Sequence, residues 1–188
     1  MHNGGHIRVI SGCMFSGKTS RLLWFLKRAK IGERSVVLFK PALDERYSKT
    51  EVVTHDNISL PCLVVSDIND IYEKGKDFEV IGIDEIQFMD SKTLLKVCNQ
   101  LADMGKSVIA AGLDLDAQDE AFEATKELLG VAEYVEKLVA VCPDCNRELA
   151  TKTYRKSQSK AKFEVGGKDS YDPLCRECNL KRKSASKS

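Results

Sequence analysis

The sequence predicts an α/β domain, a parallel sheet flanked by helices, followed by a small cysteine-bearing module. Three observations predict it. Short apolar runs alternate with helical periodicity up to about residue 141, the first run opens directly into a glycine-containing loop, and two C-x-x-C pairs lie beyond a break in composition.

Residues 6–10 alternate as a strand and pass into that loop, after which Leu22, Leu23, Phe25 and Leu26 recur at helical spacing. Residues 35–40 (SVVLFK) read as a second buried strand closed by Pro41, and residues 79–84 (EVIGID) as a third. Between them, 59–65 fits a short strand and 67–74 a helix. Residues 91–104 place apolar side chains at 94, 95, 97, 98, 101 and 104, with Ser91 as the expected cap and Gly105 just beyond the end. Residues 106–113 (KSVIAAGL) are apolar on both faces, as in a parallel sheet covered by helices. A helix over 120–129 and a last strand over 133–141 complete a domain assigned to residues 1–141. Residues 142–180 form a second, metal-binding unit, and 181–188 a flexible basic tail.

A chain of 188 residues can bury one good core with room for a small satellite. Lys and Arg total 29 against 28 Asp and Glu, so no strong overall field draws the protein onto nucleic acid or a membrane surface, and anionic ligands must be caught locally. No apolar run approaches the roughly 18 residues of a spanning helix, and residues 1–5 lack the apolar core of a secretory signal. A soluble, cytoplasmic protein is expected. Four of the seven cysteines fall in the C-x-x-C pairs, which in a reducing compartment bind metal more often than they form disulfides; Cys62 and Cys98 read as small buried apolar residues.

Residues 12–19 (GCMFSGKT) match G-x-x-x-x-G-K-S/T between a predicted strand and a predicted helix, the context a P-loop requires. Gly12 and Gly17 let the backbone of Cys13, Met14, Phe15 and Ser16 curl so that its N–H groups face phosphates, and the helix adds its positive end. Lys18 reaches the β- and γ-phosphates of ATP, and Thr19 offers a hydroxyl to Mg²⁺. The bare pattern also fits a glycine-rich turn capping a helix. The apolar strand ending in Asp84-Glu85 favours the P-loop, because open α/β sheets bind ligands at that end of their strands. Asp84 is the natural metal-side carboxylate, and Glu85 is free to act as general base on an attacking hydroxyl.

Cys142-Pro-Asp-Cys145 and Cys175-Arg-Glu-Cys178 are two knuckles able to close four thiolates around a structural Zn²⁺. The 29 residues between Cys145 and Cys175 exceed the usual ribbon spacing, so the metal would staple the base of a long loop. A redox pair or unrelated thiols are the alternatives.

With these parts in this order, the chain resembles the cellular, zinc-containing (type II) class of thymidine kinases over nearly its whole length. The resemblance rests on Met14-Phe15-Ser16-Gly17-Lys18, Lys40-Pro41 with Asp44 and Arg46-Tyr47-Ser48, Ile83-Asp84-Glu85 with Gln87-Phe88, and Gly112-Leu113-Asp114. It continues through Ala132-Glu133-Tyr134, Lys137-Leu138, Val141-Cys142, and Gly166-Gly167 with Tyr171 ahead of Cys175. It implies a P-loop NTPase-type sheet with a zinc-ribbon lasso closing over the nucleoside. It implies Glu85 as the base on the thymidine 5′-hydroxyl, with Asp44, Arg46 and Gln87 on the phosphate and Mg²⁺ side. Met14, Phe88, Leu113, Ala117, Phe122 and Thr153 would wall the base pocket, and Phe163, Glu164, Val165, Gly166 and Tyr171 would supply lasso contacts. It further implies nucleotide salvage for DNA synthesis, deoxyuridine as a second substrate, feedback inhibition by dTTP, and a homotetramer. Read without the resemblance, residues 44–46 fit a solvated loop, and Phe122 and Tyr171 fit ordinary packing. Ala117 stands where the family commonly has an aromatic residue, and the segment from Cys145 to Thr153 is one residue longer than usual. Competing readings are a kinase of another deoxynucleoside and a nucleic-acid-binding ATPase with a zinc ribbon.

Overall fold

The computed structural model describes residues 4–42, 51–53, 59–147, 149–157 and 169–185. Among them, seven strands form the main sheet: β1 (His6–Gly12), β2 (Val36–Pro41), β3 (Glu51–Val53), β4 (Ser59–Val65), β5 (Val80–Ile83), β6 (Ser107–Leu113) and β7 (Tyr134–Leu138). Their order is β3-β4-β2-β5-β6-β1-β7. Six strands run parallel, and β3 alone pairs antiparallel, against β4.

Alternation along the strands explains why helices cover both faces. Val37, Phe39, Ile81, Ile83, Val108 and Ala110 enter one core, while Val36, Leu38, Val80, Ile109 and Ala111 enter the other. A side-chain period of two sends neighbours to opposite faces, so strands apolar at every position need cover on both. On the second face lies α1 (Lys18–Ile31), through Leu22 and Leu26. On the first lie α2 (Asn69–Gly75), α3 (Ser91–Asp103) and α4 (Glu123–Val131), through Ile71, Leu94, Val97, Cys98, Leu101, Ala124 and Leu128. Cys62 and Cys98 are buried as expected.

Several element ends differ from the sequence expectation. The cap of α3 is Asp90 rather than Ser91: its carboxylate accepts the Thr93 N–H at 2.9 Å. Helix α4 starts at Glu123 because Ala121 is used in an antiparallel bridge to Leu115. Strand β7 stops at Leu138, and Ala140 instead bridges Ala150.

Beyond β7, β8 (Lys152–Arg155) and β9 (Tyr171–Leu174) form a two-stranded antiparallel sheet followed by α5 (Arg176–Ala185). The tail expected from residue 181 is therefore helical to Ala185. Its basic side chains are used: Arg182 forks onto Asp144 and also reaches Asp172 at 2.7 Å, and Lys183 lies 2.8 Å from Asp119.

Candidate active site

The loop between β1 and α1 is shaped by two glycines. Gly12 has φ 152, and a Cβ there would meet the Leu138 carbonyl oxygen at 2.4 Å and Ser16 Oγ at 2.8 Å. Only glycine lets β7 lie so close to the loop. Gly17 caps α1 at φ 85, with open space around it and, being glycine, no side chain of its own to bond the first-turn amides. Such amides and the positive helix end suit an anion. Phe15, at φ 62, sits at the loop's exposed tip.

Lys18 Nζ folds back to donate to the Cys13 carbonyl at 2.7 Å, and Ser16 Oγ donates to the same oxygen at 2.9 Å. Burial pulls the Lys18 ammonium below its usual range, with Glu85 the largest opposing charge. Thr19 Oγ1 donates to Asp84 Oδ2 at 3.0 Å, across 65 residues of sequence. Asp84 is buried at the end of β5, where burial and then the neighbouring Glu85 carboxylate push it up to about 6. Thr19 and Asp84 thus present a hydroxyl and a carboxylate side by side, a hard oxygen donor set suited to Mg²⁺.

Lys40, to which the sequence assigned no role of its own, is the buried lysine one residue before the end of β2, with Nζ 3.8 Å from Asp84 Oδ2. The available signal was a cation closing an otherwise apolar strand at the ligand-binding end of a sheet.

Glu85 takes the left-handed conformation, φ 55, which costs a non-glycine residue about 1 kcal/mol or more. Its side chain is half-buried. Gln87, in the 3-10 turn Ile86–Phe88, holds it: Nε2 donates to Glu85 Oε2, while Oε1 accepts the Leu113 N–H at 3.0 Å. Gln87 therefore ties the carboxylate to the end of β6. Leu113 is also tied to α4, its carbonyl accepting Thr125 Oγ1 at 2.7 Å.

The cysteine module meets this end of the strands. Met14 N–H donates to Thr153 Oγ1 at 3.1 Å, and Cys13 Sγ donates to the Ala150 carbonyl at 3.2 Å. Phe122 is buried at the start of α4, its N–H bonded to the Asp114 carbonyl, and Asp114 pairs with Lys137 at 2.9 Å. Tyr171 is buried opposite Arg155 across β8 and β9. Met14, Phe88, Leu113, Phe122, Thr153 and Tyr171 are all described, with Ala117 half-buried in the loop after β6. Asp44, Arg46, Phe163, Glu164, Val165 and Gly166 lie outside the described residues.

The sulfurs of Cys142, Cys145, Cys175 and Cys178 all lie within 4.8 Å of one another, with Cys145 and Cys175 at 3.8 Å. A tetrahedral Zn²⁺ with bonds of about 2.3 Å has sulfur–sulfur edges of about 3.8 Å, so the four thiols fit that ion. Burial opposes ionisation of Cys142, but donors from the Cys175, Asp144 and Cys145 backbone outweigh it and hold the thiol at about 7.

A family model described as thymidine kinase matches residues 5–179. The chain belongs to the thymidine kinase family. It is 43% identical over 179 residues to a thymidine kinase of Rhodothermus sp. (strain ITI 518), covering 94% of this chain and 83% of that protein. It is 42% identical over 177 residues to one of Porphyromonas gingivalis (strain ATCC 33277), covering 94% and 86%. A thymidine kinase of Thermococcus kodakarensis is 41% identical over 192 residues, covering 96% of each chain. Membership makes the chain a kinase, a phosphotransferase using ATP, and the reading as a nucleic-acid-binding ATPase is not favoured.

Proposed function

We propose that the chain transfers the γ-phosphoryl group of ATP to the 5′-hydroxyl of thymidine, giving dTMP and ADP, with Glu85 as general base. The observation that carries this reading is the meeting of Lys18, Thr19, Asp84 and Glu85 at the C-terminal ends of the interior strands β1 and β5, beside a docked cysteine module. Loop amides and the α1 N-terminus bind the phosphates, and Lys18 leaves the Cys13 carbonyl to pair with them. Thr19 and Asp84 would hold Mg²⁺, which when bound neutralises charge on the β- and γ-phosphoryl oxygens. Gln87 fixes Glu85, whose carboxylate takes the hydroxyl proton as the oxygen attacks. Asp44 and Arg46 join the phosphate side.

Residues 1–141 form the ATP-binding unit and 142–180 the unit that closes over the nucleoside. Met14, Phe88, Leu113, Ala117, Phe122, Thr153 and Tyr171 wall the base, with Phe163, Glu164, Val165 and Gly166 contributing from the lasso. Four thiolates leave Zn²⁺ no open position, so its role is structural. We assign deoxyuridine as a second substrate, dTTP as a feedback inhibitor, and a cytoplasmic homotetramer. Among the described residues no helix is long and apolar enough to cross a membrane, and edge strand β7 exposes Tyr134 and Val135, in keeping with self-association.

Purified protein with ATP, Mg²⁺ and labelled thymidine tests the reading, with other deoxynucleosides in parallel. Label in dTMP, matched by ADP, is expected. Phosphorylation of a different deoxynucleoside in preference to thymidine would replace the substrate assignment.

A further inference from the structure

The loop between β6 and α4 carries Ala117 and ends at Phe122, two residues assigned above to the base pocket. It closes on itself around Asp116. Asp116 Oδ1 accepts the backbone N–H groups of Gln118 and Glu120, each at 2.9 Å, and the Asp116 N–H donates to the Glu120 carbonyl at 2.9 Å. This closure leaves Asp119 at the tip in the left-handed conformation, φ 72.

From there the Asp119 carboxylate leaves the loop and enters the cysteine module. Oδ1 lies 3.0 Å from Lys152 Nζ, and Oδ2 lies 2.8 Å from Lys183 Nζ and 3.5 Å from Asn179 Nδ2. Lys152 precedes Thr153, the residue bonded to Met14 of the phosphate loop. Asn179 follows Cys178 and is itself buried. One carboxylate thus joins the pocket loop to both β8 and α5. The Lys152 side chain is only 10% exposed, so its charge is poorly served by water and depends on a protein anion.

We propose that Asp119 is a positioning residue for nucleoside binding. It holds the base-pocket loop in register against the cysteine module, so that Ala117 and Phe122 keep a fixed relation to Thr153 and Tyr171. The phosphate loop has its own ties to the module, through Met14 and Cys13, and these do not pass through Asp119. The consequence is selective: losing Asp119 loosens nucleoside binding and leaves ATP binding in place. The proposal rests on the base-pocket reading above.

Asp119→Asn keeps the side chain's size and tolerance of the left-handed conformation, and removes the charge that Lys152 and Lys183 face. We expect the thymidine KM to rise about tenfold, with kcat and the ATP KM within about twofold of wild type. The gentler Lys183→Met should raise the thymidine KM less. Combined with Asp119→Asn it should add almost nothing, because both remove the same interaction. An unchanged thymidine KM in Asp119→Asn would overturn the proposal, and so would a parallel loss of kcat and ATP affinity, which marks general destabilisation. Wild-type protein that binds ATP but no thymidine would remove the base-pocket reading itself, a result separable from any behaviour of the variants.

Discussion

Gln87→Met tests how the candidate base is held. Methionine has nearly the same length and volume, so the packing around the 3-10 turn survives while both amide groups disappear. On one side the Leu113 N–H loses its acceptor inside the protein, where an unsatisfied donor costs about 1–3 kcal/mol. On the other side Glu85 loses its Gln87 partner, but it is half-buried and water can replace much of that bond. A net loss of about 2 kcal/mol follows, equivalent to a fall in Tm of roughly 4–8 °C for a chain of this size. Turnover should fall further than stability suggests, on the order of tenfold to a hundredfold at saturating substrate, because a carboxylate free to rotate spends little time beside the hydroxyl. Calorimetry and steady-state kinetics read the two effects separately. Gln87→Glu sharpens the contrast: its Oε atoms can still accept from Leu113, yet they set a like charge against Glu85, so stability should hold better than turnover. If Gln87→Met matched wild type in both Tm and kcat, Gln87 would have no part in holding Glu85.

Other outcomes follow from the same geometry. Gly12→Ala must fit a Cβ at 2.4 Å from the Leu138 carbonyl and adopt φ 152, so a loss of about 3 kcal/mol or more is expected in urea unfolding, together with loss of ATP binding. Removing Zn²⁺ with a chelator should weaken thymidine binding before ATP binding, measured by calorimetry with metal content followed in parallel; equal loss of both would mean that the metal supports the whole fold. Thr19→Val removes the hydroxyl facing Asp84 and should raise the Mg²⁺ concentration needed for half-maximal rate by about tenfold, and an unchanged Mg²⁺ dependence would take Thr19 out of that role.

Much of the fold was legible because its strands are apolar at consecutive positions, so that SVVLFK and KSVIAAGL announce a sheet covered on both faces. The phosphate loop and the paired knuckles were legible because backbone curvature and thiolate ligation demand fixed residue types at fixed spacing. What escaped depends on pairings between distant residues. Lys40 read as the end of a strand until the fold set it against Asp84, and Gln87 showed no sign of its bond to Leu113 at the end of β6. Residues 181–185 looked like a solvated end because their acidic partners, Asp144, Asp172 and Asp119, are scattered through the sequence. Asp90 and Ser91 are both good caps, and only the extended backbone at Asp90 decides between them.

The most direct measurement of the central claim is the turnover of Glu85→Gln with ATP, Mg²⁺ and thymidine, beside its affinity for ATP. Glutamine keeps the shape and the neighbouring hydrogen bond but cannot take a proton, so kcat should drop by a factor on the order of a hundred to ten thousand while ATP binds as in wild type. Turnover near the wild-type rate would contradict the account, since the proton of the 5′-hydroxyl would then leave without Glu85.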